Sequence, residues 1–268
     1  MTVIARPGSP RLQQLRRDNG IVTVAGAWSA MSVADRLDEQ IAYDLVLVTT
    51  LAHQVDTVLP ALQRSKARWV QFMFNTFDPE GPSAAIGEHR CSLGMPFVAA
   101  SLDSEGKLTS ALNPGQKTLH GDRRWVALFA GAGLPSAFER DMPLWLRGHA
   151  PLCVAMESIC VAAQRRGGGA SWAQAMTVAR GVQAGYAVIR ALGYRVYPAA
   201  KSALDASPTV VIASMLWFVS RIASFRDLLA TGVNECRVLA DAMAAAATGA
   251  TPALPAAATA ILAMKPAP

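Results

Sequence analysis

The sequence predicts an α/β domain built on a parallel sheet, followed by an all-helical domain. Two apolar runs, "YDLVLVTT" (43–50) and "RWVQFMFN" (68–75), flank a stretch with helical spacing, "HQVDTVLPALQR" (53–64). Continuous apolar runs are what parallel strands covered on both faces show. Strand–helix–strand alternation is the mark of a sheet with helices on its faces. From about residue 124 the extended patterns give way to long helical ones.

The elements follow in order. Thr2–Ala5 reads as a short strand stopped by the Arg6-Pro7-Gly8 turn. A polar helix, "RLQQLRRDNG", ends at Gly20 and leads to a strand at "IVTVAG". After the two buried strands, residues 95–123 alternate in polarity. They carry the turn signals Ser104-Glu105-Gly106 and Asn113-Pro114-Gly115, the pattern of an antiparallel extension. "RRWVALFAGAG" makes a short connecting helix, and "SAFERDM" a last extended piece. Pro143 stands at the first position of the long helix "PLWLRGHAPLCVAMESICVAAQ". Ser171 caps the next helix, which Gly193 ends. The run "TVVIASMLWFVS" (209–220) reads as a buried helix, too short for the about 20 residues a bilayer span needs. "NECRVLADAMAAAA" follows. The Ala/Pro-rich residues 249–268 read as a loose tail. The expected boundaries are 1–123 for the α/β domain, 124–134 for the connecting helix, 135–248 for the helical domain and 249–268 for the tail.

Composition narrows the function classes. A chain of 268 residues with 52% hydrophobic and 16% charged residues folds into a globular protein. Its net charge of +6 is uneven: +1 over residues 1–134 and +5 over residues 135–268. That surplus suits an anionic metabolite or cofactor. No Lys/Arg cluster exceeds two residues, so no nucleic-acid face is indicated. Cys91, Cys153, Cys160 and Cys236 show no C-x-x-C spacing and read as reduced core residues of a cytoplasmic protein. His53, His89, His120 and His149 are scattered, and no metal site is expected.

Four stretches carry candidate chemistry. In an open parallel sheet, ligands sit past the carboxyl ends of the strands. Thr49, Thr50, Leu51 and His53 follow the first apolar run and either line such a crevice or simply end a strand and cap the next helix. Asn75 ends the second run, where it meets a ligand or serves, with Asp78, as a turn residue. Arg147 and His149 lie early in the long helix. The Arg is suited to fork onto a carboxylate, or else is a surface Arg beside a Trp-anchored helix start. Ser214, and Asn234 with Glu235, are open to local readings as well: a back-bond to the helix and a dipole partner.

Taken together, "VIARPG", "YDLVLVTT", "FMFN", "WLRGHA", "SML" and "NEC" occur in the order that resembles the ketopantoate reductase (2-dehydropantoate 2-reductase) family, from residue 1 to about 247. The resemblance implies a Rossmann-like N-terminal domain and an all-helical C-terminal domain of the 6-phosphogluconate dehydrogenase-like type. It implies an oxidoreductase that uses NADPH to reduce 2-dehydropantoate to pantoate, a step of pantothenate and coenzyme A synthesis. By this resemblance Arg6 meets the 2′-phosphate, Thr50 and Leu51 line the cofactor site, and Asn75 sits near nicotinamide and substrate. Arg147 polarises the carbonyl, while Ser214, His149 and Glu235 hold the substrate, with Glu235 also counted as catalytic. The partners it implies are a small 2-keto acid and a second copy in a homodimer, with no nucleic acid and no membrane.

The sequence also departs from the family's pattern. The catalytic Lys two residues after the helix-head Trp is Arg147, and the Asn four residues on is Pro151. A second Lys falls on Leu51, the Asn-Gly pair is Asn75-Thr76, and the acidic residue four after the helix Ser is Phe218. The first strand and helix of the Rossmann-like domain, with the G-x-G-x-x-G loop, are expected about 25 to 30 residues before Met1. Three readings therefore stand open: reduction of a 2-keto acid, non-catalytic binding of an acidic metabolite or protein partner, and a related dehydrogenase acting on a different keto or imino acid.

Overall fold

The main sheet is built around one buried strand, Val70–Met73, and the other elements are placed around it. The structure is a computed structural model in which residues 1–112, 115–230 and 232–266 are described. Asn113 and Pro114 of the expected turn lie outside the described residues. The chain forms two units: Met1–Thr49, Asp56–Met73 and Ser83–Phe138 in the first, and Thr50–Val55, Phe74–Pro82 and Glu139–Pro268 in the second.

The elements run β1 (Thr2–Ile4), α1 (Pro10–Arg17), β2 (Gly20–Val22), β3 (Trp28–Ala30), β4 (Ser32–Ala34) and β5 (Val46–Val48). Next come α2 (Leu59–Arg64), β6 (Val70–Met73), α3 (Glu80–Ile86), β7 (Cys91–Met95), β8 (Val98–Leu102) and β9 (Leu108–Leu112). β10 (Thr118–His120), α4 (Arg123–Gly131) and β11 (Ser136–Phe138) complete the first unit. The five-stranded sheet has the order β11-β10-β7-β6-β5. β5, β6 and β7 are parallel, while β7 meets β10 antiparallel. β6 is buried throughout, as a run of apolar residues with paired neighbours on both sides requires. Arg90 ties the sheet to α2: its guanidinium donates to Leu62 O at 2.8 Å and to Ser65 O at 2.9 Å, satisfying carbonyls that the helix end leaves open.

Three sequence expectations are corrected in this unit. β5 is not covered on both faces; it stands at the sheet edge, paired only with β6, and Leu47 is 41% exposed. β1 does not join the main sheet. It pairs in parallel with β4 alone, in register Thr2↔Ser32, because α1 and the β2–β3 hairpin bring the chain back beside it. The helix expected as a connector, α4, belongs to the first unit, where Asp122 caps it and it packs on β10 and β11. The antiparallel element does form: β8 and β9 pair around a turn in which Gly106 has φ +81°, a conformation glycine takes without strain.

The second unit contains α5 (Met142–Arg165), α6 (Trp172–Ala191), α7 (Ala199–Asp205), α8 (Thr209–Val219), α9 (Ala223–Leu229), α10 (Val233–Gly249) and α11 (Pro255–Ala263). Val154, Ile159, Val182, Tyr186, Ile212, Leu216, Met243 and Ile261 form its core. Ser171 and Gln174 close α6 with reciprocal side-chain-to-backbone hydrogen bonds. α8 is not the buried helix the apolar run suggests. Ile212, Ala213 and Leu216 are buried in the core and Met215 and Trp217 pack against it partly buried, while Val210, Val211 and Phe218 are at least half exposed. The loose-tail expectation is likewise corrected: residues 255–263 are α11, which packs on α6 and α10 with Ile261 and Met264 buried. Among the described residues no single helix is long and apolar enough to cross a membrane; α7 and α8 pass by composition only as a pair bent by 113°.

Candidate functional site

Trp145, His149, Cys153 and Glu157 follow one another at four-residue intervals on α5, so they share a face of that helix. Elements of the same unit meet this face with polar groups. The segment just past β6 brings Asn75, and the first turn of α10 brings Glu235. Thr76 and Asp78 shape that segment, because the Asp78 amide donates to Thr76 Oγ1 at 3.1 Å and Thr76 Oγ1 donates to Asp78 O at 3.0 Å. Buried Phe77 anchors it in the helical core. Asn75 Nδ2 then donates to Glu235 Oε1 at 3.2 Å and to Cys153 Sγ at 3.5 Å. The Cys153 thiol donates in turn to Glu157 Oε1 at 3.6 Å.

The electrostatics of this group follow from its dryness. Glu157 is 8% exposed, and burial, with the charge of Glu235 second, pushes its carboxyl up to about 8. Burial also raises Glu235, against the lowering effect of the Asn75 hydrogen bond and of His53. The Cys153 thiol is held well above its ordinary value by burial first and then by Glu157 and Glu235. Near pH 7 the site therefore offers a neutral acid and a neutral thiol.

A second cluster sits toward the start of α5. Lys201 of α7 is 7% exposed; its ammonium lies 3.8 Å from the Trp145 ring centroid and donates to Trp145 O at 3.0 Å. Burial pulls this amine down to about 7. His149 stacks on the other side chain of the pair, 4.6 Å from the Trp145 ring, and burial with Lys201 lowers it to about 3. Gly148 makes the close approach of this region possible, since a Cβ there would stand 2.3 Å from Tyr197 O. Arg147 points elsewhere. It is held by Glu80 through two hydrogen bonds, one of them Nη1 to Oε1 at 3.0 Å, and its guanidinium lies 3.9 Å from the Tyr194 ring centroid.

No protein-family model matches the sequence, and no curated protein matches it. Solved structures do. D-mandelate dehydrogenase with NADH superposes with a TM-score of 0.71 at 12% identity, covering 98% of this chain and 88% of that one. A putative 2-dehydropantoate 2-reductase from Enterococcus faecalis gives 0.60 at 14% identity, over 98% and 88%. The dimeric ketopantoate reductase from Staphylococcus aureus gives 0.60 at 12% identity, over 98% of both chains.

The chain has the ketopantoate reductase fold. At these identities the likeness is one of architecture: a Rossmann-like α/β part and a helical C-terminal part. Within the ketopantoate reductase fold, the residues singled out from sequence take different places. Asn75 and Glu235 are joined directly. Arg147 is present but ion-paired, and His149 is stacked against Trp145. Ser214 is exposed and its Oγ donates to Val210 O at 2.8 Å, the local alternative that the sequence left open. Pro151, where the family pattern has Asn, is buried against α6, with Gly185 leaving room for its ring. Arg6 is exposed just past β1, and the Leu51 amide is held by Gln54 Oε1 at 3.2 Å.

Thr50 bears on the cofactor. Its Oγ1 is a buried side-chain oxygen without a hydrogen-bond partner among the described residues, placed just past β5. An orphan hydroxyl at the carboxyl end of a parallel strand fits a polar ligand such as a dinucleotide. Three residues were missed from sequence: Cys153, Glu157 and Lys201. The four-residue repeat starting at Trp145 was the available signal for the first two. For Lys201 it was the rarity of lysine, since Lys265 is the only other one after residue 117.

Proposed function

We propose that the chain is a nicotinamide-dinucleotide-dependent reductase of 2-keto acids, using NADPH through Arg6 and acting on 2-dehydropantoate or a related acid. The carrying observation is the bond between Asn75 and Glu235. It gathers an amide donor, a partly buried carboxyl and a thiol at the end of a parallel strand. When bound, the dinucleotide would supply a hydride to the carbonyl carbon. The chain's own residues orient the keto acid and manage charge and protons. Asn75 donates to the substrate oxygen and so favours the charge that grows there. Glu235 accepts from a substrate hydroxyl. Arg147, whose fork already holds the Glu80 carboxylate, receives the anionic end of the substrate when Glu80, half exposed, swings out. An Arg is a poor proton donor, so the proton comes from another group. A homodimer is part of this reading, as one protein of the same fold is described as dimeric.

The Arg147–Glu80 pair also favours the second reading, a non-catalytic protein that binds an acidic partner. A fluorescence titration with NADPH and with NADH, followed by a panel of 2-keto acids that includes 2-dehydropantoate and phenylglyoxylate, separates the two. Saturable NADPH binding with oxidation by one of the acids supports the reductase. Absence of binding up to millimolar dinucleotide removes it and leaves the binding reading.

A further inference from the structure

Cys153 stands between two carboxyls. Its thiol donates to Glu157 Oε1 one turn along α5, and it accepts from the Asn75 nitrogen that also donates to Glu235. Cys153 is only partly buried, whereas Glu157 lies behind it in the core. Glu157 Oε2 is buried with no hydrogen-bond partner among the described residues. The carboxyl also fills space that a side chain would need at Gly232, where a Cβ would stand 2.9 Å from Oε1 and 3.1 Å from Oε2. Burial and the unsatisfied Oε2 favour the neutral acid and outweigh the thiol hydrogen bond, which works the other way. The groups that face Glu157 are Cys153 and Cys160 on α5 and Glu235 and Cys236 on α10, with Arg226 of α9 beside Cys160; Glu235 raises it, while Cys153 and Cys236 lower it. His53 faces Glu235, and Lys201 faces Cys153 from α7.

We propose that Glu157 supplies the proton of the reduction and that the Cys153 thiol relays it to the substrate oxygen. The inference rests on the reductase reading. A bound reduced dinucleotide would supply hydride for the new C–H bond, and the carbonyl π pair would move to the substrate oxygen. The Cys153 S–H, which donates to Glu157 Oε1 in this structure, turns to the substrate oxygen, and the alkoxide takes its proton. As the thiolate forms, the Glu157 O–H bond breaks and its proton restores S–H. The product is the 2-hydroxy acid, the dinucleotide is oxidised, and Glu157 remains as a carboxylate until solvent reprotonates it. Cys153 touches substrate and is the catalytic residue of this step; Glu157 acts through it.

Two measurements on the full chain test the proposal. The first needs no cofactor: alkylation of Cys153 by iodoacetamide against pH, in a Cys91→Ala background, with and without Glu157→Gln. Removal of the neighbouring acid should move the alkylation profile to lower pH, and an unmoved profile overturns the relay. The second is turnover with NADPH and whichever 2-keto acid the panel selects. Cys153→Ala and Glu157→Gln should each lower kcat at least about tenfold with dinucleotide Kd unchanged, while Cys153→Ser, which still relays, keeps most of the rate. Wild-type kcat should fall as pH rises through about 8, as Glu157 loses its proton, and Glu157→Gln should lack that limb. A melting scan of each variant confirms that it is folded. Full activity in Cys153→Ala overturns the relay and leaves the reductase reading standing. A shifted alkylation profile with no turnover on any acid fails the reductase reading, and the proton-delivery role falls with it.

Discussion

The Asn75 amide and the Glu235 carboxylate, 160 residues apart in the chain, meet at 3.2 Å. The bond does electrostatic work. Burial favours the neutral form of Glu235, and the Asn75 donor pulls the other way, toward the charged form. Asn75→Ala removes that donor and leaves Glu235 in a drier, less balanced place. It should lower kcat/KM about a hundredfold or more, as removal of a donor to developing charge does in other enzymes. Steady-state kinetics with the preferred acid checks this, and a loss below about threefold would place Asn75 outside the reaction.

Arg147 and Glu80 make a second separable prediction. The Arg147 side chain is 5% exposed and the Glu80 side chain 47%. Glu80→Gln leaves a buried cation without its counter-charge, so stability should fall by about 1–2 kcal/mol, less than for a fully buried pair. The same change frees the guanidinium for an anion. KM for a 2-keto acid should therefore drop several-fold, measured beside the melting temperature of the same variant. A lower stability with an unchanged KM would make the pair purely structural.

Two buried groups give stability curves of opposite slope. Glu157 is raised from 4.5 to about 8 in the folded chain, so the unfolded chain binds fewer protons between those values. Its contribution is present in full below pH 4.5 and is lost as pH rises through about 8. Lys201 is lowered from 10.5 to about 7, so between those values the unfolded chain binds more protons and stability rises with pH. Urea titrations from pH 5 to 10 should show the first slope flattened in Glu157→Gln and the second in Lys201→Met. Lys201→Met should also be more stable than wild type at pH 6, with the difference shrinking toward pH 10.

The sequence carried the sheet better than the surfaces. "RWVQFMFN" became β6, buried on every residue, because an apolar run here has a paired strand on each side. "YDLVLVTT" is just as apolar but became an edge strand, since pairing is decided by which strands lie beside it and not by the run itself. The same limit applies to α8. An all-apolar helix has no polar face to mark its outside, so Val210 and Phe218 gave no sign that they would be exposed. The candidate site divides similarly. Asn75 stood out by its position past a buried strand, whereas Glu235 entered only through the family resemblance, since a Glu at a helix start reads equally as a dipole partner. Glu157 was not legible, because a Glu inside a long helix reads as solvent-facing until its neighbours are known.

The Ala/Pro-rich C-terminal stretch offers the sharpest test of packing. Its helix α11 lies on α6 where Gly181 leaves space: a Cβ there would stand 2.6 Å from Met264 Sδ and 3.1 Å from Ala260 O. Ile261 is fully buried at this contact. Ile261→Ala should destabilise the chain by about 2–4 kcal/mol through lost burial and the cavity left behind. Gly181→Ala should also destabilise it, by about 1–3 kcal/mol, because the added methyl meets a thioether that can move and a backbone carbonyl that cannot move freely. The two residues face one contact, so the double variant should fall short of the sum of the singles. Chemical denaturation of the three variants measures this. Strict additivity, or an Ile261→Ala chain as stable as wild type, would mean that the segment does not dock and that the loose tail expected from its composition is the better description.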